Sequence, residues 1–182
     1  ALKWTSEYGN LKPEVKFKIN EIANNKATQG TDNNLRFVSN NFQSSMMDET
    51  SWKMVIGRDV IVPVINSGNP YLAELMKRGV SQEKFAQILN NPDKQNWGTL
   101  LEAGQKIPIH IYMISDESVK TGVAHFIQTA KIPNTGITMG TKEDVISAVQ
   151  KDPLSIAFCK VVNVTDENNQ GLAENIKLLP ID

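Results

Sequence analysis

The chain has 182 residues, 40% of them hydrophobic and 21% charged, which is enough to bury a core and too apolar for a disordered chain. Nineteen Lys and Arg stand against 20 Asp and Glu, so a net charge of -1 gives no electrostatic pull toward nucleic acid or an acidic membrane surface. The single cysteine, Cys159, excludes an internal disulfide, and its apolar neighbours Ile156, Ala157 and Phe158 mark it as a buried small hydrophobe.

Along the chain, Glu14 to Asn20 alternates strictly, with Val15, Phe17 and Ile19 on one side, the pattern of a half-buried strand. Residues 24–34 lose all periodicity and read as a solvated loop. Leu35 to Val38 is a short strand candidate that ends in the polar turn Ser39-Asn40-Asn41. Met54 to Asn66 is a long apolar stretch fit to cross between lobes, and Pro63, lacking an N–H, favours an edge or a crossover.

Asn69-Pro70 predicts a helix start and Gly79 its end. Ser81 opens a second helix with Phe85, Ile88 and Leu89 at helical spacing, stopped by Asn90-Asn91-Pro92. Ile107, Ile109, Ile111 and Met113 alternate as a strand, and Val119, Val123, Phe126, Ile127 and Ala130 then form one helix face. Thr141 with Asp144 predicts a capping box for a helix that buries Val145, Ile146 and Val149. Ser155 to Val164 and Ile176 to Ile181 read as strands. Strands that alternate with helices of about three turns argue for α/β architecture with mainly parallel sheets.

The longest apolar runs, around Val60 to Ile65 and Ile107 to Ile114, are too short to span a bilayer. His110 and His125 form no metal-ligand spacing with Cys, Asp or Glu, and read as packing or solvated residues. Trp4, Trp52 and Trp97 are scattered, as core anchors are. There is no nucleophile elbow, Walker loop or dinucleotide fingerprint, so the sequence gives no catalytic residue, no cofactor and no metal site.

Six landmarks stand in a fixed order: Val60 to Asn66, Asn69-Pro70, Phe85-Ala86-Gln87-Ile88-Leu89, Asn96-Trp97, Pro108-Ile109-His110-Ile111-Tyr112, and Phe126. Asp152-Pro153-Leu154-Ser155-Ile156-Ala157-Phe158 and Ile176 to Asp182 follow as return and terminal strands. This order resembles the phosphate-type periplasmic solute-binding proteins of ABC transporters. The resemblance implies a two-lobed α/β fold with mixed, mainly parallel sheets and an abbreviated first lobe. Lobe 1 would comprise residues 1–62 plus 157–182, and lobe 2 residues 63–156. Lys12-Pro13-Glu14-Val15 looks like the entry to the family's second strand. No leader pattern stands at Ala1, so a periplasmic or extracytoplasmic location is implied by the resemblance alone.

Such a family holds an anion between its lobes with backbone N–H groups at helix N-termini and with hydroxyls. The resemblance points to the strand-to-helix junction from Ser115 to Gly122. Counted back from Phe126, the family's Ser-Gly-Thr helix start falls on Lys120-Thr121-Gly122, and its phosphate-pairing Arg falls on Asp116. Asp116 and Glu117 oppose an anion or cap the helix themselves. Ser118 is a hydroxyl ligand or an N-cap, and Lys120 a ligand cation or a solvated first-turn lysine.

Ser39, Asn40 and Asn41 match a cleft-facing turn of the family, or form a plain turn. Arg58 clamps an anion or pairs with a neighbouring carboxylate. The implied ligand set is therefore Ser39, Asn40, Asn41, Arg58, Ser115, Ser118, Lys120, Thr121 and Gly122, around a small oxyanion such as phosphate, with a membrane ABC transporter as partner. The alternative is a binding-degenerate module of the same fold that serves protein interaction or sensing.

Overall fold

The computed structural model describes residues 2–16 (side chains from residue 5), 54–55, 57–104, 106–133, 136–165 and 171–182. The chain divides into two compact units, Ala1–Ser51 and Trp52–Asp182. In the first, helix α1 spans Leu2–Leu11 and closes in a turn, with the Lys12 N–H on the Tyr8 carbonyl at 2.9 Å. Glu14 lies in that turn, and Val15 and Lys16 are in no strand, so the expected alternating strand does not begin at Glu14. Its remainder, residues 17–20, lies outside the described residues, as do the expected loop 24–34 and the strand Leu35–Val38.

The second unit is a layered α/β domain. Its elements run β1 (Ile61–Asn66), α2 (Leu72–Arg78), α3 (Gln82–Asn90), a 3-10 turn (Pro92–Lys94), α4 (Trp97–Leu101), β2 (His110–Ile114) and α5 (Glu117–Phe126). They continue with β3 (Ile137–Gly140), α6 (Lys142–Lys151), β4 (Ser155–Lys160), α7 (Val161–Val164) and β5 (Ile176–Leu178). One sheet of order β3-β2-β4-β1-β5 holds the strands together. β3, β2 and β4 are parallel, because each step between them passes through a crossover helix. β1 runs antiparallel to both β4 and β5, so the sheet is mixed.

The boundaries expected for the two lobes, 62/63 and 156/157, fall inside β1 and β4. These strands pair directly, with Val62 opposite Cys159 and Pro63 opposite Phe158. β1 is an inner strand, yet Pro63 is tolerated because β5 pairs only from Val64 onward and the Leu179 N–H meets the Pro63 carbonyl at 2.9 Å.

Strand residues point alternately to the two faces of the sheet. Ile65, Ile111, Met113, Ile156 and Phe158 pack with Leu75, Phe85, Ile88, Leu89, Trp97, Val119 and Val123 of the helices on one face. Val64, Ala157, Cys159 and Ile176 pack with Val145, Val149 and Val164 on the other. Both faces are therefore covered, and burial pushes the Cys159 thiol up to about 12, which leaves it protonated and inert at neutral pH.

Ser81 caps α3 through the Lys84 N–H, and Gly79 ends α2 at φ +71°, as the sequence requires. Thr141 and Asp144 form the predicted reciprocal capping box of α6. Asn69 does not cap a helix. Helix α2 begins at Leu72, while the Asn69 side chain accepts from the Tyr71 N–H at 2.8 Å and donates to the Pro153 carbonyl at 2.5 Å.

The expected strand Ser155 to Val164 ends at Lys160. There the Asn163 side chain takes the Lys160 N–H at 3.1 Å and the chain turns into α7. Ala130, expected on the buried face of α5, is exposed beyond the helix end.

Candidate functional site

β2 and β4 are parallel neighbours whose chains leave the sheet toward opposite faces. β2 runs through Ser115 and Asp116 into α5, which packs on the face holding Phe85 and Trp97. β4 runs through Lys160 into α7, whose Val164 packs on the face holding Cys159. Such a point opens a crevice at the carboxyl ends of parallel strands, where α/β sheets bind ligands. In this chain Asp116 and Lys160 stand at that point.

Asp116 is the N-cap of α5. Its Oδ1 accepts from the Ser118 N–H at 2.8 Å and from the Ser118 hydroxyl at 2.7 Å, and its Oδ2 takes the Lys160 ammonium at 3.0 Å. Lys160 also reaches Asp59 at 3.1 Å. Partial burial works to raise the Asp116 pKa, but the hydrogen bonds from Ser118 and Lys160, together with the Lys160 charge, outweigh it and hold the carboxyl below the usual carboxylate range. Partial burial likewise works to lower the Lys160 pKa, and its bonds and charge contacts with Asp116 and Asp59 raise it above that of an ordinary lysine.

The remaining residues of the junction are placed as follows. Ser115 is exposed, and its N–H is engaged by the Gly140 carbonyl at 2.8 Å. Ser118 is not the N-cap; it supports Asp116, which is. Glu117 starts the helix and pairs with Lys120 at 2.8 Å.

Because α5 begins at Glu117, Lys120, Thr121 and Gly122 lie within the helix and not at its start, and the Lys120 N–H is already bonded to the Asp116 carbonyl. Gly122 marks a close approach: a Cβ there would collide with Ile61 Cδ1, at an apolar crevice of about 100 Å³ between α5 and β1. Arg58 is exposed, with no ion pair among the described residues. Its neighbour Asp59 has the lysine instead. Ser39, Asn40 and Asn41 lie outside the described residues.

Two polar groupings escaped sequence reasoning. Lys160 and Asp59 are separated from Asp116 by more than 40 residues, and the only local signal was a lysine ending the apolar run Ser155–Cys159. His110, read as a packing or solvated residue, pairs through Nδ1 with Asp152 at 2.6 Å. The Tyr112 hydroxyl stands 3.5 Å from the same carboxylate, and burial together with that charge raises the Tyr112 pKa. Among the described residues no group of His, Cys, Asp and Glu could hold a metal ion, and no helix is long and apolar enough to cross a membrane.

No protein-family model matches the chain, and no curated protein matches it either. Solved structures do resemble it. One is a possible phosphate binding protein from Planctomyces limnophilus DSM 3776, 14% identical, with a TM-score of 0.52 over 68% of this chain and 42% of that one. Another is an ABC-type phosphate transport receptor from Vibrio cholerae, 11% identical, with a TM-score of 0.49 over 68% of this chain and 46% of that one. The chain thus spans less than half the length of these proteins. The first likeness shows that the fold is of the periplasmic-binding-protein type, in agreement with the landmark order in the sequence.

Proposed function

We propose that this chain is an extracytoplasmic solute-binding module of the phosphate-binding type, which takes a small oxyanion at the α5 junction and delivers it to a membrane ABC transporter. One observation carries the reading. Between the diverging ends of β2 and β4, a backbone N–H, a hydroxyl and an ammonium converge on a single carboxylate. That donor set is the chemistry of oxyanion recognition. In this reading β1 and β4 are the crossover strands between lobes of 1–62 plus 157–182 and 63–156. Ser115, Ser118 and Lys120 would contribute from 63–156 and Arg58 from 1–62.

The same carboxylate favours a second reading, a binding-degenerate module for protein interaction or sensing. Asp116 already fills the place of the anion, and a dianion added ~5 Å from it meets a repulsion of roughly 3 kcal/mol per unit charge at an effective dielectric of ~20. Titration calorimetry and thermal melting with phosphate, sulfate and arsenate separate the two. Capture predicts saturable heat and a stabilisation of about 2.7 kcal/mol at a ligand concentration 100 times the dissociation constant. A melting curve indifferent to millimolar concentrations of all three anions rejects transport of these ligands and leaves the degenerate module.

A further inference from the structure

Residues 57–60 lead into β1, form neither helix nor strand, and are exposed. Two ties hold them among the described residues. The Val60 carbonyl accepts from the Val161 N–H at 2.8 Å, and the Asp59 carboxylate takes Lys160 at 3.1 Å. The first is a continuation of the β1–β4 ladder. The second is a side-chain tie whose lysine is shared, because the same ammonium also holds Asp116 at the start of α5. The three N–H donors of the ammonium serve both carboxylates at once, but its single positive charge offsets only one of the two negative charges drawn to it, so each carboxylate weakens the hold on the other by repulsion. The Lys160 side chain is only 21% exposed and that of Asp59 is 61% exposed, so the lysine is the fixed partner and the segment the movable one.

We infer that Lys160 is a clasp that fastens the segment 57–60 to the end of β4, and that its strength is set by the charge of Asp116. The device couples the α5 junction to the chain that leads from the first compact unit into the sheet. It stands whether or not the junction takes an anion.

Trypsin reads the clasp directly, because Arg58 lies within the segment and is exposed. Cleavage after Arg58 in the full chain is followed by mass spectrometry for wild type, Lys160→Met, Asp59→Asn and Asp116→Asn, with a melting curve for each. Losing an exposed tie raises the open population, so cleavage in Lys160→Met and Asp59→Asn is expected to be roughly three- to fivefold faster than in wild type. Asp116→Asn removes the repelling charge beside Asp59 and is expected to slow cleavage roughly twofold, and a wild-type rate there overturns the control by Asp116. Asp59 follows the scissile bond, and an acidic residue there slows trypsin by itself, so each rate is divided by that of a free peptide of residues 54–63 carrying the same residue at 59; the ratio for Asp59→Asn decides the question even where Lys160→Met melts early. A wild-type ratio in Asp59→Asn overturns the clasp. Acceleration in Asp116→Asn equal to that of Lys160→Met also overturns it, since the junction as a whole would then be loosening.

Discussion

Because Asp116 accepts from a backbone N–H, a hydroxyl and an ammonium, its ionised form is favoured by folding, and stability becomes linked to pH. Its folded pKa is depressed, so its contribution is present above the unfolded value of ~3.9 and is lost as pH falls through the lower folded value. Lys160 has the opposite sign. Its folded pKa is raised, so its contribution is complete below the unfolded value of ~10.4 and is lost as pH rises through the higher folded one. Urea unfolding across pH should therefore show wild type more stable than Asp116→Asn at neutral pH, with the gap closing only below about pH 4. The gap to Lys160→Met should close above about pH 10.4, and again below about pH 4, where the carboxylates that hold the ammonium are protonated. A gap to Asp116→Asn that persists undiminished to pH 2 would show that the carboxylate acts by shape and not by charge. Half of this pair was legible in the sequence. Asp116-Glu117-Ser118 ahead of an apolar helix face reads as a cap, because capping is local. Lys160 reads only as the polar end of a buried strand; that β4 lies beside β2 is decided by pairing, which no window of sequence displays.

Helix α6 shows the same division between local and distant signals at the level of an element. At its start, the Asp144 N–H meets the Thr141 hydroxyl at 3.2 Å, and the Asp144 carboxylate returns to the Thr141 N–H at 3.3 Å. The spacing of three residues announces this box. At its end, the buried Asn66 donates to the Val149 and Gln150 carbonyls at 2.7 and 2.9 Å, across more than 80 residues, and nothing local announces it. Thr141→Ala should cost about 1 kcal/mol in urea unfolding. Asn66→Leu should cost about 1–3 kcal/mol, because it strands carbonyls at the buried end of the helix. Equal, negligible losses would mean that α6 is held by its apolar face alone. Other elements depart from their local signals for related reasons. Trp4, Tyr8 and Leu11 stand at helical spacing, but this signal for α1 is weaker than the alternation that begins at Glu14. Val161–Val164 is β-branched in three of its four residues and reads as strand, yet Asn163 bonds back to Lys160 and turns the chain into α7.

For the molecule as a whole, the order of six landmarks conveyed the fold better than any one motif, since order reflects topology and single motifs reflect only local chemistry. What fills the sheet faces follows from the same pattern. Ile156 and Phe158 alternate with Ala157 and Cys159 along β4, so the larger residues face α3 and α5 while the smaller ones face α6. Phe85 of α3 packs on this larger face. Its ring meets Phe126 of α5 edge-on at 6.0 Å and Phe158 of β4 at 5.6 Å, and it is fully buried. One side chain thus joins two helices to the middle of the sheet. Phe85→Ala should destabilise by about 3–5 kcal/mol, from lost transfer energy plus the cavity left behind. Against a typical total of ~5–15 kcal/mol, that removes a large part of the domain's margin. Phe85→Leu keeps most of the volume and should cost no more than about 1.5 kcal/mol. Urea denaturation of the two variants measures the difference. Should Phe85→Ala lose less than Phe85→Leu, α3 and α5 would not share one core with β4, and the layered packing that positions the α5 junction would have to be redrawn.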